Sequence, residues 1–216
     1  MGWSEDLERV ATATEAPGAA ERALASAGLL ASAIDTDRDA GLFARWGSAA
    51  PPSDDAGEPL VTRAVFEALH TRAGLEAAWP VGNAGLLRTY GGLLADAAPG
   101  ATAEPWHSPA LARALGLDDA RFAPDGGSGT PLARATDAAS VLLASGGEFS
   151  WYALVDGRAT RTVLGPARSG ARALAYAVAP APGYAPLLVA LFPVTDAEPV
   201  RRELDEASAR LRWGAV

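Results

Sequence analysis

Residues 148–164, Glu148-Phe-Ser-Trp-Tyr-Ala-Leu-Val-Asp-Gly-Arg-Ala-Thr-Arg-Thr-Val-Leu164, decide the fold class. Upstream the apolar residues recur at helical spacing, and here the period drops to two. Ser150–Val155 reads as a strand, Asp156-Gly157 as a hairpin turn, and Ala159–Leu164 as the returning strand. Downstream, Arg172–Val178 and Leu187–Val194 supply two more strands, joined by Pro-Ala-Pro-Gly-Tyr-Ala-Pro. The last of these strands, LLVALFPV, is apolar throughout, as expected of a strand covered on both faces. Thr195-Asp196 caps a closing helix that the pattern carries to about Arg212. Thr195 and Glu198 stand at capping-box spacing, and Val200, Leu204 and Leu211 face the sheet.

Everything before this stretch reads as helix. Ser4 caps a first helix to about Glu15. From Pro17 a second helix places Ala20, Leu24, Ala27, Leu30 and Ile34 on one face. A short third one carries Leu42, Phe43 and Trp46. Residues 49–59, AAPPSDDAGEP, form a loop. Thr62 caps a helix with Val65, Phe66 and Leu69 inward that ends near Gly74, and leaves His70 at the edge of its apolar face. Asn83 caps the next, whose stripe is Leu86, Leu87, Tyr90, Leu93 and Leu94. Gly91 and Gly92 inside that helix point to close approach by a neighbour or to a bend. Ser108-Pro109 and Thr130-Pro131 open two more helices.

Helices first and an antiparallel meander afterwards predict an α+β protein. Residues 1–145 are the helical region, packed on a four-stranded antiparallel sheet with a closing C-terminal helix in 146–216, the two halves forming one integrated unit.

Composition narrows the chemistry. The 216-residue chain can bury a sizeable core, and its 49% hydrophobic content suits a folded protein. All eighteen basic residues are arginine and there is no cysteine. No Schiff-base lysine is therefore available for pyridoxal phosphate, and no Walker A lysine. Thiolate nucleophiles, iron–sulfur clusters and cysteine-based zinc sites are excluded. Two histidines cannot make a three-histidine metal site. We therefore expect no metal and no cofactor. The net charge of −8 disfavours nucleic acid as a partner. LARALGLDDARF in 111–122 has a helix-turn-helix look, but the part after Gly116, where a basic recognition helix should lie, has two aspartates and one arginine. Neither a signal peptide nor a membrane span is evident, which predicts a soluble cytoplasmic chain.

Three groups of residues are candidates for function. Asn83, Arg88, Tyr90 and Trp106 are placed as ligand-binding residues around His107, the one candidate acid–base group; no serine or aspartate at triad spacing accompanies it. Arg158 and Arg161 are candidate anion-binding residues, although a spacing of three sends them to opposite faces of an ideal strand. They belong to the window 157–195, which holds four arginines and no acid, so it carries +4 and the remainder −12. Asp54, Asp55 and Glu58 form a carboxylate group in the loop. Gly126-Gly127-Ser128-Gly129 precedes a helix start but lacks the lysine and the preceding strand of a phosphate loop. The leading expectation is a protein that binds a small molecule or a protein partner without metal or pyridoxal phosphate. A hydrolase or deaminase-like enzyme using His107 and a structural homodimer are the alternatives.

The segment Leu42–Phe122 (LFARWG, PLVTRAVFEALH, WPVGNAGLLRTYGGLL, LARALGLDDARF) resembles a group of uncharacterised proteins of high-GC Gram-positive bacteria, some labelled amino acid deaminase. The resemblance spans about two-fifths of the chain. It implies amino acid deamination, by a route that uses neither a pyridoxal lysine nor a His/Cys/Cys zinc set, since this chain has neither.

Overall fold

The computed structural model describes residues 2–53, 57–98, 108–206 and 209–216. The elements run α1 (Trp3–Ala11), α2 (Ala19–Ser26), α3 (Gly28–Asp39), a 3-10 turn (Leu42–Arg45), β1 (Ser48–Ala49), α4 (Arg63–Ala73) and β2 (Gly82–Asn83). Next come α5 (Ala84–Leu86), a π-helical turn (Leu87–Gly91) and α6 (Gly92–Ala97), then α7 (Pro109–Leu115), a 3-10 turn (Asp119–Phe122) and α8 (Pro131–Ser145). The sheet follows as β3 (Phe149–Val155), β4 (Arg158–Leu164), β5 (Arg172–Val178) and β6 (Leu187–Val194), and α9 (Ala197–Glu206) closes the succession. The fold is α+β: a helical region packed on a four-stranded antiparallel sheet of order β3-β4-β5-β6, with a C-terminal helix.

The hairpin turns where its sequence says it should. Asp156 and Gly157 both have positive φ, 50° and 76°. A two-residue primed turn requires this, and its twist matches that of the flanking strands. Val155 then pairs with Arg158 and Phe149 with Leu164. Helices α7 and α8 pack against β5 and β6. The ring of Trp213 meets Tyr176 edge-on at 4.7 Å and Phe192 at 5.7 Å, and Trp151 Nε1 donates to Asp205 at 2.7 Å, so α9 and the residues after it cover one sheet face.

Several boundaries differ from the sequence reading, each for a tertiary reason. The helix expected from Pro17 to Ile34 breaks at Ala27 into α2 and α3. Asp6, buried on α1, accepts the backbone N–H groups of Leu29 at 2.7 Å and Leu30 at 3.4 Å. A carboxylate from another helix thus caps the first turn of α3, where orphan donors and the helix dipole favour negative charge. α1 ends at Ala11 rather than near Glu15. α9 ends at Glu206 rather than near Arg212, and its start is held by Asp196, whose Oδ1 accepts from Glu198 N–H at 3.2 Å. Beyond it the chain runs back to β1: Ala215 pairs with Ala49, and Ala50 N–H donates to Gly214 O at 3.0 Å.

The tandem glycines also act differently from expectation. A Cβ on Gly91 would make only ordinary contacts, with Val61 at 3.5 Å and Leu87 at 3.9 Å, and one on Gly92 would meet nothing within 4 Å. No neighbour presses on Gly92; the helix widens into a π turn over Leu87–Gly91 instead. Close approach does require glycine at Gly85, where a Cβ would sit 2.6 Å from Trp46 Cγ, and at Gly82, where it would run into His70 Nε2.

Candidate functional site

Where the helical region meets the sheet there is a cleft of about 380 Å³. Trp46, Val189 and Leu187 give it an apolar floor, the 75–83 segment forms one wall, and Arg158 with Val178–Pro180 forms the other. Trp46 is positioned from three directions. Its backbone bridges Leu188 of β6, its indole Nε1 donates to Thr136 of α8 at 2.9 Å, and its ring lies against Gly85.

Asn83 lines this cleft with its amide already committed. Nδ2 donates to the carbonyls of Phe43 at 3.0 Å and Trp46 at 3.3 Å, and Oδ1 accepts from Leu86 N–H at 3.1 Å, the cap that the sequence predicted. Its role is to fix the wall, leaving Ser48, Glu76 and Arg158 as the other polar side chains of the lining. Arg158 donates one bond, Nη1 to the Val216 carbonyl at 3.0 Å. A guanidinium carries five N–H donors in a planar fork, so most of its capacity lies beyond that bond.

His70 stands behind the wall, and it is buried rather than at the edge of its helix face. Nδ1 is 2.8 Å from the Phe66 carbonyl, and Nε2 is 3.1 Å from the backbone N–H of Asn83. A carbonyl only accepts and an amide N–H only donates, so the ring is neutral with its proton on Nδ1. Burial lowers its pKa below the ordinary 6.5, and the bond to Phe66 offsets part of that. The stability gained from neutral His70 is thus present above pH 6.5 and is lost as the pH falls through the lowered value. Nitrogen-15 spectra of the imidazole should show one neutral Nδ1–H tautomer that persists to lower pH than in an unfolded chain, where histidine titrates at its ordinary value. An imidazolium that forms at or above the ordinary 6.5 would contradict the assignment.

The other sequence candidates disperse. Arg88, on the π turn, is buried and donates from Nη2 to the Trp213 carbonyl at 2.9 Å; burial lowers its pKa to about 10. It anchors the C-terminal segment. Tyr90, one residue beyond Thr89 on the same turn, enters a separate polar cluster. Its hydroxyl donates to Asp37, which also accepts from Thr130. Asp37 is fully buried, with Arg134 as its nearest compensating cation. Arg134 spends its own donors on the carbonyls of Ala123 at 2.5 Å, Pro124 at 3.3 Å, Gly127 at 3.4 Å and Gly129. Burial raises the pKa of Asp37, the two hydroxyl bonds and Arg134 pulling the other way, and burial raises that of Tyr90. This cluster ties α3, the π turn and α8 together, and each of its members is buried.

Arg158 and Arg161 do take opposite faces of β4. Arg161 lies over the Tyr152 ring at 5.2 Å, away from the cleft. The structure therefore brings Asn83 and Arg158 together, and separates Arg88, Tyr90 and Arg161 from them. Trp106, His107, Asp54 and Asp55 lie outside the described residues. Among the described residues no group of three or more His, Asp or Glu is placed to hold a metal ion, and no helix is long and apolar enough to cross a membrane.

Two contributions escaped the sequence reading. Glu76, Ser48 and Val216 join the cleft only through tertiary folding. The Asp37 cluster left a signal, because Leu30, Ile34 and Asp37 follow helical spacing and put an acid on an apolar stripe. Comparison with protein-family models, with curated proteins and with solved structures finds no match to this chain.

Proposed function

We propose that the protein binds a small molecule bearing an anionic group, held in the cleft between the helical region and the sheet, without metal or pyridoxal phosphate. The observation that carries this reading is the cleft itself, about 380 Å³ with an apolar Trp46 floor and one arginine at its wall. Small-molecule sites have volumes of roughly 300–1,000 Å³, apolar linings and a few convergent polar groups. Arg158 supplies the anionic specificity, and the committed amide of Asn83 keeps the opposite wall rigid. Neither role needs a nucleophile or an acid–base pair, so binding is favoured over turnover.

A thermal-shift screen of carboxylates and phosphate esters tests this. A ligand at about a hundred times its Kd adds roughly 2.7 kcal/mol, which for a chain of this size raises the melting temperature by about 5–10 °C. Arg158→Ala should keep the fold and lose most of that shift. A screen with no responding anion, or a shift that survives Arg158→Ala unchanged, counts against the reading.

A further inference from the structure

The two edges of the four-stranded sheet are treated differently. On the β6 side, Trp46 and Gly47 lie against the edge at Leu188, with Gly47 N–H donating to Leu188 O at 2.7 Å and Trp46 bridging Leu188 in parallel. Along β3 no described strand or bridge lies beyond the edge. Exposed edges are ordinarily blunted by charge, proline, a bulge or a covering element, because their unpaired N–H and C=O groups recruit other strands. β3 has none of these within it: FSWYALV contains no charged residue, no proline and no glycine, and pairs with β4 without a bulge. Its outward side chains are uncharged as well: Ser150, then Tyr152, 70% exposed, and Leu154, 69% exposed.

We propose that β3 pairs antiparallel with β3 of a second copy of this chain, so that two four-stranded sheets become one eight-stranded sheet about a twofold axis. The choice of a second copy rests on three features. A strand edge is complementary to itself under a twofold rotation. The uncharged strand brings no like charges together along its length, although each chain carries −8 overall. The ends match too: Glu148 with its partner Arg172, 2.5 Å away, stands at the start of β3, and Asp156 followed by Arg158 stands at its finish. Antiparallel pairing lays one end beside the other, each with an acid and a base. Because Trp46 and Gly47 already occupy the β6 edge at Leu188, β3 is the sheet edge with no partner among the described residues, and a twofold β3 pairing closes at two copies instead of growing into a filament.

Sedimentation equilibrium of the full chain over a wide concentration range should give twice the monomer mass, with little dependence on salt. Leu154→Lys and Tyr152→Lys place a charge on the shared edge and should each yield a folded monomer, the side chains replaced being mostly exposed. The chain has no cysteine, so crosslinking is clean. Tyr152→Cys should form an intermolecular disulfide under mild oxidation, and Leu29→Cys on α3 should not. A wild-type chain that stays monomeric throughout, including one that pairs only with a foreign strand, would overturn the proposal. So would a dimer that survives both lysine variants, or crosslinking at Leu29 in preference to Tyr152.

Discussion

Asp37→Ala is expected to destabilise the protein by about 3–5 kcal/mol, the cost of removing one partner from a buried charged cluster. The carboxylate accepts from Tyr90 and Thr130 and faces Arg134. Without it two buried hydroxyls lose their acceptor and the Arg134 charge loses one of its two carboxylate counterions, Asp125 being the other. Thr130 also caps α8, accepting from Ala133 N–H at 3.0 Å, so the loss reaches the start of that helix. Asp37→Asn keeps one acceptor and should cost less, about 1–3 kcal/mol. Denaturant midpoints at pH 7 measure both, and a loss below 1 kcal/mol in the alanine variant would contradict this account of the cluster. The pH dependence separates charge from shape. Because burial raises the folded-state pKa of Asp37, its proton is held more tightly in the native chain than in the unfolded one. That contribution is complete below the ordinary value of 3.8 and is lost as the pH rises through the raised value. Asp37→Asn has no such slope, so its deficit relative to the wild type should be larger on the acid side and shrink as the pH rises through that window.

Trp46→Ala should cost a comparable 3–5 kcal/mol and remove the floor of the cleft. The side chain is 3% exposed and is held by Thr136 and Gly85 as well as by its packing. Trp46→Phe deletes the indole N–H and should cost about 1 kcal/mol, because the Thr136 hydroxyl keeps its own bond to the Leu132 carbonyl at 2.7 Å. Gly85→Ala drives a methyl into the indole and should cost about 1–3 kcal/mol. In the double variant Gly85→Ala/Trp46→Ala the added methyl enters space that the indole has vacated. The two costs should then fall short of additivity by at least 0.5 kcal/mol; strict additivity would show that the two residues do not press on one another.

The parts of this fold that follow local rules were legible in the chain. The Asp156-Gly157 turn, the register it sets, the Thr62, Asn83 and Thr130 caps and the Leu86–Leu94 stripe depend on near neighbours only. What escaped depends on distant ones. Nothing in residues 17–34 announces a break at Ala27, because the group that stabilises it is Asp6 on another helix. His70 looked peripheral since, apart from the Phe66 carbonyl one turn back, the groups that meet its ring belong to Gly82 and Asn83 of the cleft wall. Asn83, Arg88 and Tyr90 sit within eight positions and invited one site. The π turn and the helix direct Asn83 to the cleft, Arg88 to Trp213 and Tyr90 to Asp37. Arg158 was legible as a candidate, but its company in the cleft, Glu76 and Val216, was not.

The capping of α3 by Asp6 has a consequence for measuring motion. A first-turn amide ordinarily exchanges with solvent as its own helix frays. The amides of Leu29 and Leu30 are bonded to a carboxylate on α1. Their deuterium uptake should therefore follow the undocking of α1, and the two should slow or quicken together when substitutions on α1 tighten or loosen it. Two protons near the middle of the helical region thus act as a clock for the departure of the first helix.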